Sequence, residues 1–184
     1  MLMTVNRAVR IRAAVTLVVS ASALLALTAC AGETRSGPTL VTTKSSTQLL
    51  MNEAVTRVPG YMVSGDKAYE DLSEACDVDG NDDGAIRLWR SSATVQLVDN
   101  ASVRSDAIIK ELVAGFSDQG WVSHPADAGA VELTHGSSPS TLRFAPTPLE
   151  TGAGGTLLIE ARGACVTTDG PDSDEVKTLE NRTE

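Results

Sequence analysis

The chain has 184 residues, 24 Asp or Glu against 15 Lys or Arg, and a net charge of −9. That length suits one domain with a core of its own. The acidic balance argues against nucleic acid and against electrostatic adhesion to anionic headgroups, and six aromatic residues leave few ring platforms for a sugar.

Arg7, Arg10 and Arg12 open the chain without an acid among them, and residues 13–29 (AAVTLVVSASALLALTA) carry no charge. A basic start, an apolar middle and small residues at its end make up a secretion signal. A helix that stays in the membrane needs roughly 20 apolar residues. Here the uncharged run is 17 residues and includes Thr16, Ser20, Ser22 and Thr28, which is thin for a permanent span.

The run closes on Leu27-Thr28-Ala29-Cys30, which resembles the lipobox of bacterial lipoproteins: an aliphatic residue, two small residues and a cysteine. The resemblance implies a diacylglyceryl thioether on Cys30, cleavage between Ala29 and Cys30, and anchorage at the extracytoplasmic face of the cell membrane. The thiol is the nucleophile that takes the lipid, and small neighbours let a peptidase close around the junction. Acyl chains contribute ~0.8 kcal/mol per buried methylene, so two or three anchor stably where one is marginal. Loss of residues 1–29 removes three bases and no acid, leaving 155 residues with 12 bases against 24 acids and a charge of −12. In this make-up the chain resembles the small lipoproteins common in high-GC Gram-positive bacteria.

With Cys30 lipidated, Cys76 and Cys165 have only each other. In an oxidising compartment two such cysteines pair by default. The bridge closes a loop of about 90 residues, which chain entropy values at roughly 4–5 kcal/mol. A reactive thiol or a metal pair would want CxxC spacing or a nearby histidine, and neither is present.

Residues 30–44 are polar and small, with Gly32, Gly37 and Pro38, and read as a flexible tether. Ser46 can cap a helix whose apolar positions are Leu50, Met51, Ala54, Val55 and Val58, stopped by Pro59-Gly60. A weaker helical stretch covers 67–75, before Cys76. The clearest helix spans 102–116, with Val103, Ile108, Ile109, Leu112, Val113 and Phe116 on one stripe. Ala93, Val95 and Leu97 alternate with polar neighbours as in a half-buried strand. Trp121-Val122 begins an extended segment, and strands follow near 130–133, 141–144 and 156–161, separated by turns at 135–139 and 151–155. A last extended piece holds Cys165 and Val166. The tail 169–184 has six acids, two bases and little apolar content, a disordered composition. The order predicts an α+β domain over 45–168: one or two helices packed on one face of a mostly antiparallel sheet of four or five strands, with a single disulfide.

Candidate chemistry is sparse. Asp79, Asn81, Asp83, Gly84 and Ile86 fall where the first half of an EF-hand or dockerin loop, which they resemble, places oxygens, a glycine turn and an aliphatic anchor. The twelfth position of that loop, which should be a bidentate acid, is Arg90. The competing reading of 79–90 is an acidic turn. His124 and His135 sit in or near turns with no ligand or triad partner at local spacing, no GxSxG nominates a serine, and the glycines at 152–155 are too few for a phosphate loop. Trp89 and Trp121 read as core or rim packing.

These residues predict no catalytic, cofactor or metal site. The expected function is a non-enzymatic, membrane-anchored domain that binds an envelope protein or cell-wall component. The alternatives are an envelope hydrolase or transferase built from scattered acids with His124 as base, and a calcium-stabilised module at 79–90.

Overall fold

The computed structural model describes residues 37–60, 63–98, 104–148 and 155–181, and for 63–66, 147 and 148 it describes the backbone. The signal, the lipobox with Cys30 and the glycines at 152–154 lie outside the described residues. The elements run α1 (Leu40–Arg57), β1 (Val63–Ala75), β2 (Ile86–Leu97), α2 (Ser105–Ser117), β3 (Val122–Pro125), β4 (Val131–His135), β5 (Ser138–Pro148), β6 (Gly155–Arg162), β7 (Val166–Thr167) and α3 (Asp174–Leu179). The strands form one antiparallel sheet in the order β1-β2-β6-β5-β4-β3, and β7 takes up pairing with β2 beyond the end of β6. The α+β class and the single disulfide hold. Among the described residues the sheet has seven strands rather than four or five, and three α-helices are present rather than one or two.

All three helices lie on one face. Trp89, Ala93 and Val95 of β2, Leu157 and Ile159 of β6 and Phe144 of β5 point into that face and are fully buried. Each large apolar side chain buried this way contributes roughly 1.5–3 kcal/mol. α1 supplies Met51, Ala54 and Val55, and α2 supplies Ile108, Ile109, Leu112 and Phe116. A second, smaller core joins Leu40 of α1, Trp89, Val166 of β7 and Val176 of α3.

Three segments depart from the sequence reading. α1 begins at Leu40, inside the stretch read as tether, and Thr39 rather than Ser46 caps it through a reciprocal pair with Thr42. Its first half is rich in Ser and Thr, which favour turns because their hydroxyls compete for the backbone. Here the hydroxyls of Thr43, Ser46 and Thr47 bond carbonyls three or four residues back, and buried Leu40, Thr43 and Thr47 recover the cost through packing.

Residues 67–75 form a strand, not a helix. Composition favours helix, but unbroken antiparallel register with β2 from Lys67 to Ala75 overrides propensity. The tail is structured over its described part: Ser173 caps α3, and Val176 is fully buried. His124 lies within β3, and His135 is the last residue of β4, next to the turn at 136–137.

Close approach of α1 to the break between β6 and β7 depends on Gly163. A Cβ there would lie 2.9 Å from Thr43 Cβ and 3.4 Å from Thr47 Cγ2. The Gly163 N–H meanwhile donates to the Trp89 carbonyl at 2.9 Å.

Candidate functional site

Alternate side chains of a strand point to opposite faces, so the face without helices carries the even-numbered residues of β2. Cross-strand register places Glu70 (β1), Ser92 (β2), Glu160 (β6), Arg143 (β5), Glu132 (β4) and His124 (β3) in one row. Six strands thus each contribute one residue. Beside this row run Leu72, Arg90, Arg162 and Thr141, and on its other side Ala68, Thr94, Leu158 and Ala145.

Arg90 is the hub of the charged network. It reaches Glu74 at 2.6 Å, Glu70 at 3.0 Å and Glu160 at 3.6 Å. Burial works against its charge, but the hydrogen bond to Glu74 and the charges of Glu74, Glu70 and Glu160 outweigh it and hold the pKa above the ordinary arginine value. Glu160 has only 5% of its side chain exposed and is also bonded by Arg162 at 2.7 Å. A carboxylate so buried is tolerable because two guanidinium groups share it.

Arg143 is half-buried and stands between Glu160 and Glu132 in register, yet it makes no hydrogen bond or ion pair among the described residues. It lines a shallow depression of about 280 Å³ with Ala126, Asp127, Glu132, Glu160 and Arg162. This depression offers a guanidinium and carboxylates side by side. Such a surface can grip a polar partner carrying both signs of charge. His124 ends the row, its Nε2 3.0 Å from Thr134 Oγ1, with no carboxylate bonded to the ring. The acids and His124 that the hydrolase alternative needs are therefore on one face, but no imidazole–carboxylate pair is formed among the described residues.

The helical face holds a different polar cluster. Asp71 of β1 accepts from Trp89 Nε1 at 2.5 Å and Ser91 Oγ at 2.6 Å, and from Gln48 of α1. Thr47 Oγ1 lies 3.0 Å from Ser91 Oγ. These contacts seat α1 on β1 and β2 and are structural.

The segment at 79–83 is the turn of the β1–β2 hairpin. Asn81 donates to the carbonyls of Cys76 (2.9 Å) and Ile86 (2.8 Å), and its Oδ1 accepts from the Ile86 N–H at 2.7 Å. Asp83 Oδ1 accepts from the Ala85 N–H, while Gly80 and Gly84 take positive φ. The side chain of Asn81 is thus spent inside the turn. Among the described residues no three His, Cys, Asp or Glu converge as metal ligands.

Cys76 and Cys165 form the disulfide, with Cα atoms 6.1 Å apart. Trp89 is core. Trp121 packs at its rim, edge-on to Phe116 at 5.9 Å and 5.4 Å from the His135 ring. Sequence reasoning singled out neither Arg143, Glu160 nor Asp71. The alternation Leu157-Leu158-Ile159-Glu160-Ala161-Arg162 carried the signal for Glu160 and Arg162, since acid and base share a parity opposite to Ile159.

No known family model matches the chain, and neither does any curated protein or solved structure.

Proposed function

We propose that this chain is a lipoprotein anchored through Cys30 at the extracytoplasmic face of the cell membrane, and that its domain binds another envelope component without catalysis, through the open face of the sheet. One observation carries the reading: among the described residues every helix takes one face, while the other presents a polar, largely charged row drawn from six strands, in which Arg143 has no partner among those residues. Burial of the helical face accounts for stability. It leaves the charged face no role in the core.

The tether is short. Nine residues, 31–39, separate Cys30 from the first residue of α1, which at ~3.3–3.6 Å each span at most about 32 Å. A domain held that close meets partners at or near the membrane. Binding is favoured over hydrolysis because Glu160 is tied to arginines and His124 to Thr134, so neither supplies a free acid or an oriented base.

A photo-activated cross-linking residue at Thr94, on the open face, tests the binding reading in intact cells. One adduct of defined mass from Thr94, absent from the same residue placed at exposed Leu49 of α1, is the expected result. No adduct from the open face overturns it. Anchorage is tested separately: Cys30→Ala should abolish lipid labelling and release the protein from the membrane fraction, and retention would overturn the lipid-anchor reading.

A further inference from the structure

Among the described residues β1 is an edge strand, and none of them pairs with its outer edge over residues 67–71. Even-numbered residues make its bonds to β2: the Cys76 N–H donates to the Ile86 carbonyl at 2.9 Å, continuing the same register. Ser73, of odd parity, turns its N–H outward to Glu180 Oε1 at 2.8 Å. This alternation is a property of the antiparallel ladder, and no bulge interrupts it between Lys67 and Ala75. Lys67, Tyr69 and Asp71 therefore hold their N–H and C=O groups away from the sheet. Residues 67–70 are exposed, and Tyr69 keeps 55% of its surface open. An uncovered edge of this kind is a template for another strand.

The geometry points to a second copy of this chain as the occupant, with two β1 strands pairing antiparallel about Tyr69. In that register Tyr69 exchanges both backbone bonds with the partner's Tyr69. Lys67 falls opposite the partner's Asp71, and Asp71 opposite the partner's Lys67, so each lysine meets the charge of a carboxylate already fixed in place by Trp89, Ser91 and Gln48. On the other face Ala68 meets the partner's Glu70. Opposite charges directly across a strand pair stabilise it and like charges destabilise it. Other registers do worse. Centring on Glu70 sets that acid against itself, and centring on Lys67 or Asp71 sets like charges together. Centring on Ala68 draws the irregularity between Val63 and Lys67 into the seam. The interface is isologous, as a two-fold dimer requires, and it joins two sheets into one. It does not depend on the lipid anchor or on the open face.

The test uses the full-length chain, co-expressed in two differently tagged forms, one carrying Ala68→Cys and the other Glu70→Cys. These positions are directly opposed as a non-hydrogen-bonded pair, with Cα atoms about 4.5 Å apart, inside disulfide range. Mild oxidation should give the mixed-tag dimer several-fold above either variant with itself, above Leu49→Cys on exposed α1, and above the unsubstituted chain. Adding Lys67→Glu, which sets an acid against the partner's Asp71 and touches no β1–β2 bond, should lower that yield. Equal yields from all pairs, or a yield indifferent to Lys67→Glu, overturn the proposal. So does a mixed product of another mass, which would assign the edge to a different protein's strand.

Discussion

Replacing Asp71 probes the packing of α1 against β1 and β2 more directly than any other single change. Its carboxylate accepts from the Trp89 indole at 2.5 Å, from Ser91 Oγ at 2.6 Å and from Gln48. Trp89 is fully buried, so Asp71→Ala leaves its N–H with no acceptor, and a buried donor orphaned in this way costs about 1–3 kcal/mol. Ser91 retains Thr47 Oγ1 at 3.0 Å, and half-exposed Gln48 can turn to water, so these two add less than about 1 kcal/mol together. The expected loss is roughly 1–4 kcal/mol, a large share of the ~5–15 kcal/mol typical of a domain. Urea denaturation followed by tryptophan fluorescence measures it. Asp71→Asn keeps one carbonyl oxygen for the indole and should cost less than half as much. In a Trp89→Phe background, where the donor is gone, Asp71→Ala should become cheaper by about 1–2 kcal/mol. A cost below ~0.5 kcal/mol for Asp71→Ala, the value of an exposed surface change, would refute the cluster and with it the seating of α1.

Other perturbations test separate parts of the structure. Replacing both Cys76 and Cys165 by serine removes a link across 89 residues and should lower stability by up to about 4–5 kcal/mol in chemical denaturation; a loss under ~1 kcal/mol contradicts the loop-entropy account. Gly163→Ala drives a methyl to 2.9 Å from Thr43 Cβ, so a loss of about 1–3 kcal/mol is expected, and coupling to Thr43→Ser should recover part of it. Calcium and then chelator should leave the melting midpoint unchanged, because Asn81 is committed to the turn, whereas Asn81→Ala should lower it; a calcium-dependent rise would restore the ion-binding reading of 79–90. The Asp106 carboxyl is held below its ordinary range first by its hydrogen bond with Arg104. A depressed native value means that stability is present above the unfolded carboxylate pKa and is lost as pH falls through the native one. Asp106→Asn should therefore lower the midpoint near neutral pH and make no difference in strong acid, as melts at the two extremes would report.

Legibility followed periodicity. The stripe Ile108, Ile109, Leu112 and Phe116 placed α2, and the alternation Ala93, Val95, Leu97 placed the second half of β2, because one buried face writes its period into the chain. The disulfide was legible by elimination. β1 was not, since Lys, Ala, Glu and Leu at 67–75 favour helix and its strand state comes from pairing with β2 and from the Asn81 turn. The first turns of α1 were hidden because Ser and Thr there read as a tether, and their hydroxyls turn inward only once Leu40, Thr43 and Thr47 have packed. α3 was hidden by acidity: one buried residue, Val176, holds a helix that composition would leave unfolded. The charged row was invisible for another reason. Its members lie from residue 70 to residue 160, and only register brings them together.

The two ends of the sheet are fastened unequally, and the difference bears on tethering. At one end β7 has two residues and α3 six, both far too short to persist alone. They are held by the small core around Trp89 and Val176, by the nearby Cys76–Cys165 bridge, and by Lys44, which lies 4.6 Å from the Trp89 ring centre and donates to the Leu179 carbonyl at 2.5 Å. The covalent link and the small core together order what neither orders alone. The chain comes into the domain at this same end, with Thr39 as the cap and Leu40 buried in the small core. Under the anchorage proposed above, a pull from Cys30 would act first on Leu40, in the small core it shares with Trp89, Val166 and Val176. The far edge has no such fastening: β3 is four exposed residues, and it ends the charged row with His124. Held from this end, as the proposed anchorage requires, the domain would leave its charged face free for the proposed partner.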